Sequence, residues 1–378
     1  MKKLLFRKFL TDHISQFLFF GISLSAIVWV IQAVNFLEFV TEDGHGLKIY
    51  FLYTFLNLPK IFHRLLPFIF LLSLFYQFTK YEDRNELLIF WTHGIGYKKF
   101  INVIVIYSIL FSFFQIFFGS FISPKSQDTA RSFIRSSTVD FFPNLIREKK
   151  FIDVMDGLTI FADKKNDNNY SNIILSENIE ENKIKIISAK NGSLITKDSN
   201  KYFELGNGKI IEINSGKITN FSFDKIIYNI DKYKSKTTTY QKIQEAPTID
   251  LIKCIDNFYF KNINKSIINY LQCQEQSFDD VKQEIFKRII KPFYIPLVAL
   301  ICSLMIFVSR EKINFKRKRF YIFLIGFLSL AYSEIFLKYS GKSIFGFILF
   351  LLIPIIFFIT VYLYANIKSQ NLEMNQNA

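Results

Sequence analysis

The residue types that most often carry out chemistry are scattered in this sequence. Its histidines are His13, His45, His63 and His93, and they lack the HExxH spacing that holds zinc. The GxxxxGK[ST] loop, whose backbone amides cradle nucleotide phosphates, is also missing, so the chain does not bind ATP in the P-loop manner. We therefore expect no catalytic residue, metal or cofactor here, and any energy that the protein uses comes from a partner.

The three cysteines show no CxxC spacing, which argues against a metal site. Cys302 lies in an apolar run and is predicted to pack there. Cys254 and Cys273 can form a disulfide if they face an oxidising compartment, and the sequence leaves this question open.

One polar stretch, residues 81–100, has residue types that suit the docking of a partner. Its sequence is YEDRNELLIFWTHGIGYKKF. We predict a short helix within residues 82–94, capped by Asp83, with Glu86 in its first turn facing the positive end of the helix dipole. Gly94 is predicted to end this helix.

The same short helix has one apolar ridge, because Leu87, Phe90 and Trp91 fall at positions i, i+3 and i+4. Gly96 is predicted to allow a tight return into the next helix. Two interpretations remain open at this point. The helix either lies on the lipid surface or is a coupling helix that fits a cleft on an ATPase.

Long apolar blocks at both ends of the chain position this stretch. Half of the residues are hydrophobic, and phenylalanine alone supplies 46 of 378. A helix needs about 20 apolar residues to cross the hydrocarbon layer. The first block is too long for the apolar core of a signal peptide, so we expect a retained anchor. Six spans are predicted, at residues 14–37, 62–79, 100–122, 292–308, 320–337 and 344–364.

The basic residues of the chain indicate its orientation. The formal net charge is +15, but no nucleic-acid motif accompanies it, and we expect no nucleic-acid partner. Lysine and arginine gather in residues 1–8, 80–99 and 310–319. Such residues favour the cytoplasmic side. We therefore predict a multi-pass protein of the bacterial inner membrane, with both termini cytoplasmic and the middle of the chain periplasmic.

The middle of the chain has the period-two pattern of short β-strands, from about residue 150 to 233. Turns are predicted at Asn191-Gly192, Gly206-Asn207 and Ser215-Gly216. This pattern indicates a sandwich or jelly roll, flanked by helical connectors. The predicted fold class is membrane α-helical, with six transmembrane helices in a three-plus-three arrangement and an inserted periplasmic β-jelly-roll domain. The corresponding segments are residues 1–123, 124–290 and 291–378.

Several of these stretches, taken in order, resemble the LptF/LptG permease family. DRNELLIFWTHGIGYKKF is similar to the family's cytoplasmic signature, and LPKIFHRLLPFIFLLSLFYQFTKYEDRNE to its proline-bearing second span. VMDGLTIFADKKNDNNYSNIILSE resembles the opening of its β-domain, FDKIIYNID the last strands of that domain, and QEIFKRIIKPFYIPLVAL the approach to its fourth span. The likeness covers nearly the whole chain. NFLEFVTEDGHGL and DGLTIFA resemble LptF more than LptG.

The resemblance implies a lipopolysaccharide export permease. In this family LptF pairs with LptG, a dimer of the ATPase LptB drives the pair, and LptC joins them to pass lipopolysaccharide to periplasmic jelly rolls. The first and fifth spans would line the lipid cavity. The residues that would couple the chain to LptB are Asp83, Glu86, Leu87, Phe90, Trp91 and Gly94.

An anionic glycolipid calls for basic residues at the outer rim of the membrane. Family members often place them near the outer end of the first span, where this chain has Gln32, Asn35 and Glu38. That departure puts a phosphate-binding role for the first span in doubt. We hypothesise that basic residues at the same membrane level elsewhere take this role: Lys60, Arg64, Lys338 and Lys342. The alternative is ordinary snorkelling to the interface, with Glu334 pairing Lys338.

The apolar face of the β-domain suits either an acyl-chain slot or an ordinary core, and core is expected. The positions concerned are Phe151, Ile160, Ile174, Phe203 and Phe221. For the whole chain, the alternative to a transport subunit is a membrane-anchored periplasmic receptor or scaffold. Copurification of an ATPase through residues 83–94 distinguishes the two.

Overall fold

The computed structural model describes residues 2–37, 47–155, 158–166, 169–180, 183–197, 200–214, 217–229, 242–260, 277–308 and 314–377. These residues form two compact units. The first comprises Met1–Ile31, Asn57–Asp128 and Gln241–Ala378, and the second comprises Gln32–Leu56 and Thr129–Tyr240.

Helices account for most of the chain outside the β-domain. In chain order, the described α-helices α1 to α11 are Lys2–Asn35, Leu47–Leu56, Leu58–Asp83, Glu86–Thr92, Tyr97–Phe117, Ser123–Leu145, Thr248–Phe260, Phe278–Ile289, Tyr294–Ser303, Phe315–Ser340 and Ile344–Asn377. A π-helical turn, Phe118–Ile122, joins α5 to α6. Short 3-10 turns occur at Ile243–Glu245, Lys291–Phe293 and Leu304–Phe307.

Six helical stretches in the described chain are long and apolar enough to cross a membrane, as the sequence predicts. They are Lys2–Asn35, Leu47–Asp83, Tyr97–Ile134, Phe278–Phe307, Phe315–Ser340 and Ile344–Leu372. Most are longer than the predicted spans, because hydropathy marks only the part that suits hydrocarbon. Backbone hydrogen bonding continues into the polar ends of each helix. The predicted fold class, membrane helices with an inserted β-domain, is confirmed.

The fourth of these stretches lies at the centre of the first compact unit, which we call the helical unit. All ten residues of α9 are buried, and its side chains contact α3, α5, α10 and α11. Two of these partners, α10 and α3, approach each other closely at a small residue. An added Cβ on Gly326 of α10 would lie 2.8 Å from the side chain of Leu71 on α3. Small residues of this kind let membrane helices approach one another.

A buried polar network joins the first three spans. His13 on α1 lies 2.8 Å from the Tyr107 hydroxyl on α5 through Nδ1, and 3.1 Å from the Ser73 hydroxyl on α3 through Nε2. All three side chains are buried. Hydrogen bonds between membrane helices contribute about 1 kcal/mol each, so this network helps to fix how the three helices pack.

A buried arginine holds the segment that precedes α7. Arg288 on α8 is 1% exposed, and its guanidinium donates to the Gln244 carbonyl at 2.9 Å and to the Ala246 carbonyl at 2.8 Å. It also donates to the Thr248 hydroxyl at 3.0 Å and to Glu284 at 3.0 Å. Nearly every donor of the side chain therefore has a partner, as a buried charge requires.

The described strands of the β-domain form one antiparallel meander. Strands β1 to β6 are Phe151–Met155, Leu158–Asn166, Asn169–Glu180, Lys183–Lys197, Asn200–Asn214 and Lys217–Asn229. Each strand pairs with its neighbours in the chain. Two of the predicted turns are wrong, because Asn191-Gly192 lies inside β4 and Gly206-Asn207 lies inside β5. Ser215-Gly216 lies outside the described residues.

The glycine and asparagine signals mark a row across the sheet instead of strand ends. Pairing on β2 to β6 skips one residue per strand in the same row: Asp163, Asn172, Lys190, Asn207 and Asp224. The backbone of Asn172 and Asn207 is left-handed, with φ of 51° at each, which asparagine tolerates better than most residues. These residues therefore do adopt a turn-like backbone conformation, but pairing with the neighbouring strands continues on both sides of them.

The five positions predicted to lie in the core of the β-domain differ in solvent exposure according to the strand on which they lie. Ile160 and Phe203 are buried in the domain core, as expected, and Ile174 is half-buried. Phe151 and Phe221 are wrong as core residues, since they are 68% and 56% exposed. They lie on the outermost described strands, β1 and β6, where fewer neighbouring side chains cover them.

The core of the β-domain also contains a buried phenol. Tyr170 is 3% exposed, and its ring lies 5.3 Å from that of Phe203. Burial raises the pKa of Tyr170 to about 12, because a low-dielectric surrounding disfavours the phenolate.

Candidate functional site

The short helix predicted between the second and third spans is α4, Glu86–Thr92. Its cap differs from the prediction. Asn85 is the N-cap, with left-handed backbone (φ 55°) and no side-chain hydrogen bond to the helix. Asp83 is the last residue of α3, and its carboxylate lies 3.4 Å from the Arg319 guanidinium of α10. The predicted capping role of Asp83 is therefore wrong, because α3 continues through it.

The end of α4 agrees with the prediction for Gly94. This glycine has φ of +66°, and its amide donates to the Trp91 carbonyl at 2.9 Å. The Ile95 amide donates to the Phe90 carbonyl at 3.1 Å, which completes a Schellman motif. Gly96 has ordinary extended backbone, φ −65° and ψ 151°, and caps α5. No unusual torsion at Gly96 requires a glycine.

The apolar ridge of α4 faces the protein interior. Leu87 and Phe90 are each 2% exposed. The ring of Phe90 lies 5.7 Å from that of Phe6 and 5.0 Å from that of Phe100. Phe90 therefore packs α4 against α1 and α5, and the side chains of both residues are covered within the chain itself.

Ion pairs and a backbone contact hold α4 at its two ends. Lys8 of α1 lies 3.4 Å from the Glu86 carboxylate, and Arg84 lies 3.9 Å from it. At the other end, the Lys2 ammonium donates to the Gly94 carbonyl at 2.9 Å. Exposed ion pairs contribute little each, but together these contacts orient α4 on the basic start of α1.

The outward face of α4 consists of other residues. Leu88 is 58% exposed, Ile89 is 41% exposed, and Thr92 is exposed. Trp91 is half-buried, with its ring 4.2 Å from that of Tyr97. A partner that approached α4 would meet Leu88 and Ile89, which are not among the contact residues predicted from the sequence.

The reason for this omission is physical. Leu87, Leu88, Ile89, Phe90 and Trp91 are all apolar, so helical periodicity alone does not decide which of them face inward. The inward face is determined by tertiary packing, because phenylalanines of α1 and α5 lie against this side of α4, where Leu87 and Phe90 are buried. Apolar residues occur on every side of this short helix. That feature of the sequence could have predicted that some of them form a second, outward-facing apolar surface.

The four predicted substrate-binding cations lie in two places. Lys60 and Arg64 are near the start of α3, where Lys60 is half-buried and Arg64 is exposed. Lys338 is exposed on the last turn of α10, and Lys342 is exposed in the turn before α11. The partner predicted for Lys338, Glu334, accepts a hydrogen bond from Lys291.

Further charged residues on the approach to the fourth span lie near the first pair. The charged neighbours of Lys60 are Lys287 and Arg64 together with the acidic Glu245 and Glu284. Lys287 is itself paired with Glu284 at 3.0 Å, and Lys291 is bonded to Glu334. Lys287 and Lys291 are not among the four cations predicted from the sequence. Their i, i+4 spacing in VKQEIFKRIIKPF was the signal for this cluster, although Lys287 lies on α8 and Lys291 begins the 3-10 turn that follows it.

Some predicted features fall on residues that the structure does not describe. Cys273 is one, so its pairing with the buried Cys254 stays a prediction, while Cys302 is a buried free thiol. Residues 38–46, which make up most of the stretch that resembles LptF, also lie outside the described residues. Among the described residues, no group of three or more His, Cys, Asp or Glu side chains is arranged to hold a metal ion.

Comparison with known families decides the class of protein. The model of the lipopolysaccharide export system permease LptF/LptG family matches residues 7–367, which is nearly the whole chain. The chain belongs to this family. The match does not separate LptF from LptG. Members are permease subunits of lipopolysaccharide export and are not themselves catalytic enzymes.

The chain is also similar to one curated protein whose own function is not given by its name. An uncharacterized protein of Rickettsia prowazekii (strain Madrid E) is 25% identical over 238 residues. The alignment covers 62% of this chain and 66% of the relative, just under two thirds of its length. The particular activity, substrates and partners of this LptF/LptG family member are therefore matters of proposal.

Proposed function

We propose that this chain is one permease subunit of an ATP-driven lipopolysaccharide export complex. In this proposal it pairs with a second LptF/LptG-type permease, an LptB-like ATPase dimer supplies the energy, and an LptC-like protein receives the lipid. The complex lies in the bacterial inner membrane, with both termini cytoplasmic and the β-domain periplasmic. Family membership and the predicted positive-inside orientation support this arrangement.

The observation that carries the proposal is the exposed surface of α4. The helix is held by Leu87 and Phe90 inside and by Lys2 and Lys8 at its ends, yet it leaves Leu88 and Ile89 exposed. A pre-organised helix with outward apolar side chains suits insertion into a groove on a partner. The proposed ATPase contacts are therefore Leu88 and Ile89, with Glu86 and Trp91 beside them and Asp83 and Gly94 supporting the helix.

The proposed substrate contacts are the cations at the opposite ends of the helices. Lys338 and Lys342 are exposed, and Lys60 and Arg64 lie in a cluster with Lys287. Positive charge at this level favours the phosphates or acidic sugars of an anionic glycolipid. Neutralising Lys338 and Lys342 is expected to reduce lipopolysaccharide crosslinking, and unchanged crosslinking contradicts their assignment.

The test of the docking surface is retention of the ATPase by the full-length chain. Burying a Leu or Ile side chain contributes ~1.5–3 kcal/mol, so replacing both Leu88 and Ile89 with Asp is expected to weaken association ~100-fold or more. Leu4→Asp is the matched control, because Leu4 is 59% exposed but lies on α1. Full retention by the double variant would overturn the docking surface. If the unmodified chain retains no ATPase at all, the receptor or scaffold function is favoured.

A further inference from the structure

The indole ring of Trp91 connects the exposed surface of α4 to the interior of the helical unit. Trp91 lies three residues after Leu88, so the two side chains are neighbours on the helix. Its half-buried ring lies against that of Tyr97, at the start of α5, with 4.2 Å between the ring centroids and 39° between the ring planes. Its edge also meets the buried Phe100 at 5.5 Å. A partner seated on Leu88 therefore lies beside a ring that is packed within the chain.

The ring of Tyr97 has a second neighbour, which belongs to the end of the fourth span. Phe307 is the last residue of the 3-10 turn Leu304–Phe307, and its half-buried ring lies 6.0 Å from that of Tyr97 at 37°. Trp91, Tyr97 and Phe307 thus form a continuous row of aromatic rings. This row leads from α4 across the start of α5 to the fourth span.

The sixth span reaches the same row through a lysine. The Lys368 ammonium of α11 lies 5.2 Å from the centroid of the Phe307 ring, within the range of a cation–π interaction. It also donates to the Tyr364 hydroxyl at 3.1 Å, which holds it in place. Ala365 and Ser369 beside it are 1% and 0% exposed. This part of α11 therefore packs against the protein beyond residue 364, where the predicted span ends.

Two further contacts join neighbouring helices of the unit. The Tyr362 hydroxyl of α11 donates to Asn102 of α5 at 3.0 Å, and Arg319 of α10 lies 3.4 Å from Asp83 of α3. Neither contact involves a residue of α4. The row through Tyr97 and Phe307 differs from them because it begins on α4 itself, beside the exposed Leu88.

We propose that Tyr97, Phe307 and Lys368 are positioning residues, through which the fourth and sixth spans set the orientation of α4 and respond to a partner bound there. The inference rests on the proposed function, in which that partner is an ATPase. It adds the route by which docking at α4 reaches the second group of three spans. Close-packed side chains leave little free space, so a displacement of the Trp91 ring displaces its neighbours.

Fluorescence of Trp91 tests the row in the full-length chain without a partner. Trp29→Phe leaves Trp91 as the single tryptophan. Aromatic pairs contribute enough beyond their buried area that Phe307→Leu is expected to raise acrylamide quenching of Trp91 about twofold or more. Phe323→Leu is the matched control, because Phe323 is also half-buried but its ring contacts Phe75 of α3 instead of the row. This control is expected to leave the quenching unchanged.

The charge of Lys368 is tested by a pair of variants at the same position. Lys368→Met keeps an apolar stem of similar length and removes the charge, so it is expected to raise quenching of Trp91 in the same direction as Phe307→Leu. Lys368→Arg is expected to restore the native value, since a guanidinium also binds over an aromatic ring. Because this position is half-buried near the end of α11, the pair keeps the test open should Phe307→Leu fail to fold.

The same variants are then assembled with the partner permease and the ATPase in vesicles that contain lipopolysaccharide. Retention of the ATPase is expected to be unchanged, because Leu88 and Ile89 are intact. Stimulation of ATP hydrolysis by lipopolysaccharide is expected to fall about fivefold in Phe307→Leu and Lys368→Met, the loss expected for one cation–π interaction. Lys368→Arg and Phe323→Leu are expected to keep the native stimulation.

Three results would overturn the proposal. The first is that Phe307→Leu and Lys368→Met behave like Phe323→Leu in both measurements. The second is that Lys368→Arg behaves like Lys368→Met, which would leave the charge without a role. The third is increased quenching of Trp91 with unchanged stimulation of ATP hydrolysis. If the unmodified chain retains no ATPase, the proposed function fails, whereas the fluorescence of Trp91 still decides whether the fourth and sixth spans position α4.

Discussion

The end of α4 offers a sharp test of how the docking surface is held in place. Gly94 has φ of +66°, a left-handed conformation that costs an ordinary L-residue ~1–2 kcal/mol. An added Cβ at Gly94 would lie 3.7 Å from Lys2 Nζ, an ordinary contact, so the cost comes from the backbone and not from a clash. Gly94→Ser is therefore expected to destabilise the closed end of α4 by that amount.

The size of the effect follows from this free energy. A change of 1–2 kcal/mol raises the population of locally opened α4 by roughly 5- to 30-fold. Amide exchange from locally opened states reports this population directly. Hydrogen exchange measured by mass spectrometry on peptides covering residues 86–95 should accelerate by the same factor, while peptides from α9 should be unchanged.

Gly96 provides the matched control two residues away. Its φ of −65° and ψ of 151° are the torsions that a serine N-cap adopts, so Gly96→Ser is expected to leave exchange in α4 unchanged or slower. Gly94→Asn is expected to fall between wild type and Gly94→Ser, since asparagine tolerates left-handed backbone. Equal acceleration by the two serine variants, or less than twofold acceleration by Gly94→Ser, would refute the assignment of a Schellman end.

Two further predictions concern the helical unit and the β-domain. Arg288→Ala leaves Glu284 and the carbonyls of Gln244 and Ala246 without their buried partner, so a loss of ~3–5 kcal/mol is expected, seen as faster proteolysis of residues 242–260. Arg288→Lys keeps the charge and should recover part of it, and equal loss in both variants would contradict the role of charge. Phe203→Ala, at a fully buried position, is expected to cost ~3–5 kcal/mol and lower the melting temperature, whereas Phe221→Ala at an exposed position should change it little. Equal effects of these two variants would contradict the observed division of the core.

Much of the architecture was predictable because it depends on local composition. Membrane spans require long apolar runs whatever their neighbours are, so the six spans followed from hydropathy. The end of α4 at Gly94 was predictable because a left-handed C′ position favours glycine in any context. By contrast, the strand interruptions predicted at Asn191-Gly192 and Gly206-Asn207 depended on whether long-range pairing would continue through them, and it did.

The candidate docking surface shows most clearly what the sequence by itself determined and what it did not. Residue types and spacing determined that a short apolar helix lies between the second and third spans. Only the tertiary structure decided that Leu87 and Phe90 turn inward while Leu88 and Ile89 remain exposed. The physical reason is that every side of α4 is apolar, so the helix has no inward face of its own. Phe6, Phe9 and Phe100, distant in sequence, supply the surface that defines one.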